Sequence, residues 1–324
     1  MIITKILDGI NNISETIALT TECLNNGKPV AFPTETVYGI GAKIYDENAL
    51  YKVFQIKKRN IGNPLSAHIA SLDDVNYLCN DIPNDFWKIA DKLLPGPISI
   101  IMPKKPTISE LVTGKLESIN IRMPDNQIFI ELAKSVGQPI AATSANLSGR
   151  PSPNTALSVF DDLSGRVDYI IDGGRCKYSI ESTVLSMIGE EPILIRPGVI
   201  PQQAIEIILG KKILSNDNSI VKVNNSTQSA ISNFKCKISY SLSTNDVEKY
   251  ILKNIEKNIL LLVGEYNINA INHNAKILLN QETLFESIRY AEKNKFDEVI
   301  VIFDNFVNGI ELIKHRLKFA QELK

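Results

Sequence analysis

Strand-like and helix-like segments alternate along almost the whole chain, and this alternation limits the fold more than any other feature. Residues 13–24 repeat apolar side chains at helical spacing and end near Gly27, and residues 29–32 (PVAF) then predict a buried strand. A second helix is predicted over residues 46–58, with Asp46 as its N-cap. The pattern therefore predicts an α/β protein.

Several of the predicted strands follow one another without a helix between them. Short strands are expected at 67–70, 98–102, 118–123, 139–143, 168–172, 182–187 and 192–196, and further helices at 126–136 and 202–209. A purely parallel sheet needs a crossover segment, usually a helix, between successive strands. Because these strands lack one, we predict a mixed, twisted sheet with helices packed on it.

The chain has 324 residues, which is about twice the typical domain length of ~150 residues. Residues 215–233 are rich in Ser and Asn and show no sustained period, which is typical of a linker. Cleaner alternation follows, with helices at 244–257, 284–294 and 309–323 and strands at 259–263, 276–279 and 298–303. We predict an N-terminal domain over 1–210, a linker over 211–243 and a small α/β domain over 244–324.

Composition excludes several classes of function. The 35 Lys and Arg residues against 36 Asp and Glu residues argue against a protein that coats nucleic acid by bulk charge. The four cysteines form no CxxC pair and the three histidines form no ligand cluster, so we expect no protein-bound transition metal. The apolar runs are strand-sized and the N-terminus lacks a signal-peptide pattern, so we expect a soluble, cytoplasmic protein with no membrane partner.

Five segments in the first 200 residues combine glycines, hydroxyls and cations at predicted strand ends or in loops. They are FPTETVYGIGA (32–42), KKRNIGNPLSAHI (57–69), SINIRMPDN (118–126), AATSANLSGRPSP (141–153) and DGGRCKYSIESTVLSM (172–187). Each segment taken alone is a weak signal, and the first is explained equally well by a glycine-rich turn. Together with Arg196 they suit a polyanionic nucleotide next to a small acidic or zwitterionic substrate, because ligands bind at such strand ends in open α/β sheets.

Each of these charged side chains has either a structural or a ligand-binding interpretation. Lys57 and Arg59 either complement the dipole at a helix C-terminus or bind phosphate groups. Arg122 lies within a strand and needs an anionic partner, either a protein carboxylate or, as we expect, a ligand carboxylate. The chain contains neither a Ser-His-Asp arrangement nor a GxxxxGK[ST] loop, so phosphate chemistry based on positioning and electrostatics is favoured over covalent catalysis.

These segments resemble, in order and spacing, the YrdC/Sua5 family of threonylcarbamoyl-adenylate synthases. The matching pieces between residues 28 and 198 are PTETVYGIGA, the K-x-R with the following NPL and His, LLPGPISIIM, SINIRMP, SANLSGRPSP, ESTV and IRPG. The resemblance implies a twisted mixed sheet of the YrdC type over 1–210. It also implies that residues 244–324 form a small Rossmann-like domain of the Sua5 type.

The resemblance further implies that L-threonine, bicarbonate and ATP give threonylcarbamoyl-AMP and pyrophosphate, for the t6A modification of tRNA position 37. The implied threonine-binding residues are Thr34, His68, Arg122, Ala142 and Ser182. The implied ATP-binding residues are Lys57, Arg59, Ser118, Ser144, Asn146, Ser152 and Arg196. Lys57 and Arg59 are also expected to act in catalysis by stabilising charge on the phosphates.

Magnesium is expected to arrive with ATP, and tRNA or a downstream threonylcarbamoyl transferase is expected as a further partner. One segment departs from the family pattern: SNFKCKISYSL (232–242) has Cys236 where the family usually has a tyrosine that closes over the nucleotide. The main alternative function is a non-catalytic RNA-binding module that uses the same basic cavity. A hydrogenase-maturation enzyme with a related domain is disfavoured, since these 324 residues lack its zinc-finger and acylphosphatase segments.

Overall fold

A computed structural model describes residues 2–215, 234–264, 271, 273–280, 282–303, 310–317 and 320–323. The chain divides into two compact units: Met1–Ser148 with Ser152–Gln228, and Gly149–Pro151 with Ser229–Lys324. The domain borders at residues 210 and 244 stay predictions, because residues 216–233 of the predicted linker lie outside the described residues.

The first unit is built on a single large sheet. Its strands among the described residues are Lys5–Asp8 (β1), Val30–Phe32 (β2), Gly39–Lys43 (β3), Ser66–His68 (β4), Ile98–Pro103 (β5), Ser118–Arg122 (β6), Ile140–Ser144 (β7), Tyr169–Asp172 (β8), Thr183–Ser186 (β9), Ile193–Arg196 (β10) and Leu214–Ser215 (β11). They lie in the order β1-β8-β2-β3-β7-β4-β6-β5-β9-β10-β11. Parallel pairs such as β4 with β6 occur beside antiparallel pairs such as β3 with β7, which confirms the predicted mixed sheet.

Helices cover the sheet of the first unit. Those among the described residues are Ile13–Asn25 (α1), Glu47–Lys57 (α2), Val75–Leu78 (α3), Asn84–Leu93 (α4), Glu110–Thr113 (α5), Gln127–Val136 (α6), Ala156–Leu163 (α7) and Gln202–Leu209 (α8). Asp46 caps α2 as predicted, because its side chain accepts a hydrogen bond from the Ala49 amide at 3.0 Å. Helix α6 begins after an Asn126 cap and ends at Gly137, which adopts a left-handed conformation.

The two faces of the sheet bury different apolar groups. On one face, Ile40, Ala67, Ile100 and Ile121 belong to the larger core of this unit. On the opposite face, a smaller core includes Phe32 and Ile140 from the sheet together with side chains of α1 and α6. This second core covers only part of its face, and the polar residues described below lie on the remainder.

Strand β3 was not expected, since its glycines suggested a turn. Gly39 and Gly41 instead lie in an antiparallel strand between β2 and β7. A Cβ atom on Gly41 would lie 2.7 Å from the Cβ of Ala142 on the neighbouring strand. Glycine is therefore required there by the close approach of two strands.

The second unit contains a separate parallel sheet. Its strands among the described residues are Lys237–Ser241 (β12), Ile259–Val263 (β13), Lys276–Leu278 (β14), Glu298–Ile302 (β15) and Gln321–Glu322 (β16), in the order β14-β13-β15-β12-β16. Its helices there are Thr244–Lys253 (α9), Leu284–Lys293 (α10) and Ile310–Arg316 (α11). The expected small α/β domain is thus present, but the helix predicted over 309–323 was wrong at its C-terminal end. The helix ends at Arg316, and residues 321–322 pair with β12.

Candidate binding site on the polar face of the sheet

Register places many of the predicted site residues on one face of the sheet. In β6 the side chains of Ser118, Asn120 and Arg122 alternate with the buried Ile119 and Ile121, so the first three point to the same side. Residues paired directly across neighbouring strands also share a side. Arg122 pairs with His68 of β4 and with Ser99 of β5. Ser66 of β4 pairs with Asn120 of β6 and with Ala142 of β7. Ser144 lies two residues after Ala142 in β7 and therefore also points to this side.

We call this side the polar face and define it by Ser66, His68, Ser99, Ser118, Asn120, Arg122, Ala142 and Ser144. It contains five of the predicted binding residues, namely Ser118 and Ser144 for ATP and His68, Arg122 and Ala142 for threonine. In the sequence these five residues belong to three separate segments, 57–69, 118–126 and 141–153. The sheet brings them together because β4, β6 and β7 are neighbours.

The loop after β2 forms a compact polar turn beside this face. The Thr34 hydroxyl donates to the Val37 carbonyl at 2.6 Å and accepts from the Thr36 and Val37 amides, both at 3.2 Å. A hydroxyl that bonds to nearby backbone groups in this way stabilises a turn at the expense of the extended strand. The turn holds Thr34, Glu35 and Thr36 in buried positions at the end of β2.

Arg122 connects the polar face to this turn. Its Nη2 donates to the Thr34 hydroxyl at 3.2 Å and to the Thr36 hydroxyl, and it lies 3.0 Å from Oε2 of Glu35. The side chains of Arg122 and Glu35 are only 8% and 2% exposed. Of the two partners left open for Arg122 by the sequence, the structure therefore shows a protein carboxylate. Glu35 had no assigned role in the sequence interpretation, because nothing local indicates a contact with a residue 87 positions away.

His68 lies beside Arg122 and is held as a neutral ring. It makes edge contacts with Phe32 and Phe129, at centroid distances of 6.0 and 5.7 Å. Burial, together with the nearby charge of Arg122, lowers the pKa of His68 to about 3. Its Nδ1 lies 3.1 Å from the Ser66 carbonyl oxygen, which can only accept, so Nδ1 carries the proton and Nε2 remains an acceptor.

Lys57 is buried at the end of α2 and bonds to the backbone of the loop after β7. Its side chain is 1% exposed, and its ammonium donates to the carbonyls of Ser144 and Asn146, the latter at 2.6 Å. The Ser144 hydroxyl donates to Oδ1 of Asn146 at 2.6 Å. The structure thus brings together Lys57, Ser144 and Asn146, three residues expected at the ATP site, and the lysine holds the loop in place.

Arg59 contacts the loop that follows it. Its Nε donates to the Asn63 carbonyl at 3.4 Å and its Nη2 to the Pro64 carbonyl at 3.0 Å. Burial lowers the pKa of Arg59 to about 10, so the group stays charged at neutral pH.

The three remaining predicted residues are Ser152, Ser182 and Arg196. Arg196 donates from Nη2 to the Ser182 carbonyl at 2.8 Å, and the Ser182 hydroxyl lies 2.8 Å from that of Ser99 on the polar face. The Ser152 hydroxyl donates to Oε1 of Glu181 at 2.7 Å. Ser99 and Thr36 were not identified from the sequence. The alternation of β5 could have indicated Ser99, since it is the one hydroxyl in an otherwise apolar strand.

Two further features concern only the described part of the chain. Within it, no group of three or more His, Cys, Asp or Glu side chains is arranged to hold a metal ion. Within the same residues, no helix has the length and apolar character needed to cross a membrane. Cys236, which was expected to replace a tyrosine of the family, is buried, and burial raises the pKa of its thiol to about 12.

The fold and the site together define a mixed α/β protein with a buried cation and several hydroxyls on one face of its sheet. The chain belongs to the Sua5, YciO and YrdC family, whose family model, described as "Telomere recombination", matches residues 22–198, more than half of the chain. The match contains every strand of the polar face.

Curated relatives agree with this membership. A threonylcarbamoyl-AMP synthase of Pyrococcus abyssi is 41% identical over 195 residues, which cover 60% of this chain and 57% of the relative. The corresponding enzyme of Bacillus subtilis is 41% identical over 206 residues, which cover 63% of this chain and 60% of the relative. The aligned segments therefore span less than two thirds of these relatives.

Solved structures match over a longer range. The crystal structure of P. abyssi Sua5 complexed with L-threonine has a TM-score of 0.87 and 28% identity, and the match covers 100% of both chains. A double-alanine variant of the same protein has a TM-score of 0.87 and 29% identity, with 99% of this chain and 98% of that chain covered.

Proposed function

We propose that this protein is a threonylcarbamoyl-AMP synthase, a nucleotidyltransferase that forms threonylcarbamoyl-AMP and pyrophosphate from L-threonine, bicarbonate and ATP. The observation that carries the proposal is the buried guanidinium of Arg122 on the polar face, surrounded by the hydroxyls of Thr34 and Thr36. A buried cation among hydrogen-bonding groups is suited to a ligand carboxylate. Two relatives with this activity and a relative complexed with L-threonine support the choice of ligand.

In this proposal the threonine lies over the polar face, and Arg122 binds its carboxylate. Thr34, His68, Ala142 and Ser182 line the same pocket. The neutral His68 leaves Nε2 as an acceptor, which suits the hydroxyl of threonine. Ala142 contributes a small apolar surface that suits the methyl group. Serine lacks that methyl group, so it is the natural control substrate.

ATP is proposed to bind beside this pocket. Arg59 and Arg196 supply cations, and Ser118, Ser144, Asn146 and Ser152 supply groups that hydrogen-bond to phosphate or ribose oxygens. Lys57 belongs to this set as the residue that holds the Ser144–Asn146 backbone. Magnesium enters with the triphosphate, since hard oxygen ligands on the substrate suit it and the described residues offer no acidic cluster.

The proposed reaction has two bond-forming stages. The ammonium group of threonine first loses a proton, and the resulting neutral amine takes up bicarbonate carbon as a carbamate with loss of water. A carbamate oxygen then forms a bond to the α-phosphorus of ATP while the bond from that phosphorus to the bridging oxygen breaks, and pyrophosphate leaves. Arg59, Lys57 and the magnesium ion are proposed to stabilise the charge that develops on the phosphates. The product would then supply a transferase that modifies tRNA.

The test is pyrophosphate release by the purified protein with magnesium, ATP, bicarbonate and threonine. We expect release that depends on threonine and bicarbonate, together with a threonylcarbamoyl adduct of AMP detected by mass spectrometry. The reaction with serine should be slower by roughly 10- to 200-fold, the range for one missing methyl group in a fitted pocket. RNA binding without any threonine-dependent release would refute the proposal and favour the RNA-binding alternative.

A further inference from the structure

Glu35 is a buried carboxylate whose oxygens accept no hydrogen bond within the part of the chain that the structure describes. The residue is 3% exposed and lies in the turn after β2. Its Oε2 is 3.0 Å from Nη2 of Arg122, but among the described residues neither carboxylate oxygen accepts a hydrogen bond. Nε of Arg122 likewise has no acceptor among them. An ionised carboxylate has about four lone-pair sites, so a single ion-pair contact leaves most of them without a partner.

Buried polar atoms without partners are uncommon and costly. Leaving one buried acceptor unsatisfied costs a folded protein a measurable part of its stability, and the cost is larger for a charged group. Three such atoms, two on Glu35 and one on the adjacent, oppositely charged Arg122, therefore require an explanation. A ligand that supplies both a donor to Glu35 and an acceptor to Arg122 satisfies both groups at once.

The signs of the two charges limit what that ligand can be. A simple carboxylate that approaches Arg122 also approaches the negative charge of Glu35, because the two side chains are 3.0 Å apart. Repulsion between like charges in a buried site opposes such a ligand. A zwitterion avoids this repulsion, since its carboxylate can face Arg122 while its ammonium group faces Glu35. The pair is thus complementary in charge to an α-amino acid.

We propose that Glu35 binds the ammonium group of the amino acid whose carboxylate is bound by Arg122. The proposal rests on the proposed function and deepens it, because it assigns to Glu35 a role in substrate selection. The turn formed by Thr34 and Thr36 fixes the backbone on either side of Glu35, so the carboxylate is held ready before the substrate arrives. Selectivity for an amino acid over a plain hydroxy acid then comes from Glu35.

The test compares three ligands by isothermal titration calorimetry with the full chain. They are L-threonine, (R)-3-hydroxybutyrate, which lacks the amine, and L-threoninol, which lacks the carboxylate. We expect the unsubstituted protein to prefer threonine to 3-hydroxybutyrate by about 10- to 100-fold, which corresponds to one hydrogen-bonded charge contact. Glu35→Gln should lose most of this preference by weakening threonine binding, while 3-hydroxybutyrate binds equally well or more tightly. The exposed Glu190→Gln serves as the matched control and should keep the preference.

One outcome of the titrations contradicts only the role of Glu35, and another contradicts the proposed function on which that role rests. If Glu35→Gln binds both ligands with the same ratio as the unsubstituted protein, Glu35 only neutralises Arg122 and the proposal is overturned. If the unsubstituted protein binds no threonine, the proposed function fails, and the role of Glu35 fails with it.

Loss of the buried partner of Arg122 can prevent folding of Glu35→Gln. In that case Arg122→Met is compared with the double variant Glu35→Gln/Arg122→Met, which leaves no unpaired charge. Threoninol should bind to the single variant and about 10-fold or more weakly to the double variant. Equal binding to both would overturn the proposal.

Discussion

Lys57→Met should destabilise the first unit, because it removes a buried ammonium and keeps the length of the side chain. The ammonium donates to two backbone carbonyls, those of Ser144 and Asn146, and both would lose a buried donor. Each unsatisfied buried acceptor costs about 1–3 kcal/mol, so we expect a loss of about 3 kcal/mol in the free energy of unfolding. For a unit of this size that corresponds to a decrease in Tm of roughly 6–12 °C.

Trp87 provides the assay, since it is the only tryptophan of the chain and lies in α4 of the first unit. Its fluorescence during urea denaturation reports on this unit. The matched control is Lys58→Met, which makes the same chemical change one position along the chain, at an exposed residue. The control should change the free energy of unfolding by less than about 0.5 kcal/mol. Equal stability of the two variants would refute the structural role assigned to Lys57.

Three further predictions concern the charged groups of the site. Arg59→Ala should slow pyrophosphate release by ~10²-fold, the effect of one lost electrostatic contact, and near-normal release would contradict its phosphate role. Arg122→Ala should raise the KM for threonine more than the KM for ATP, and an unchanged threonine KM would argue against the carboxylate contact. His68 binds its proton only near pH 3 in the folded protein, against about 6.5 when unfolded, so its contribution to stability is present above pH 6.5 and is lost as the pH falls towards 3. The stability advantage of the unsubstituted protein over His68→Gln should therefore shrink by about 2–3 kcal/mol between pH 6.5 and 4.5, whereas parallel denaturation profiles would exclude this effect.

The sequence predicted the mixed sheet because the spacing of apolar residues and the missing crossover helices are local signals. It did not predict β3, since Gly39 and Gly41 have low strand propensity and their place in a strand depends on pairing with β2 and β7. The helix predicted over 309–323 was wrong at its C-terminal end for a related reason. Residues 321–322 pair with β12, a contact with a segment some 80 positions earlier that no helical periodicity could reveal.

In the candidate site, too, the charged residues could be predicted from their own segments, whereas their partners, which are distant in sequence, could not. The sequence predicted an anionic partner for Arg122, because an arginine within an apolar strand needs one. The identity of that anion, Glu35, depends on how β2 and β6 are placed in the sheet. Likewise, the cations Lys57 and Arg59 were evident in the sequence, but the backbone carbonyls that they contact could be identified only from the structure.

The central claim is that the polar face binds the amino acid, with Arg122 at its carboxylate. A crystal structure of this chain with L-threonine tests it most directly. It should show the threonine carboxylate within hydrogen-bonding distance of the Arg122 guanidinium and the ammonium facing Glu35, between the turn after β2 and strands β4 and β6. Threonine bound elsewhere, with the contact between Arg122 and Glu35 unchanged, would contradict the account.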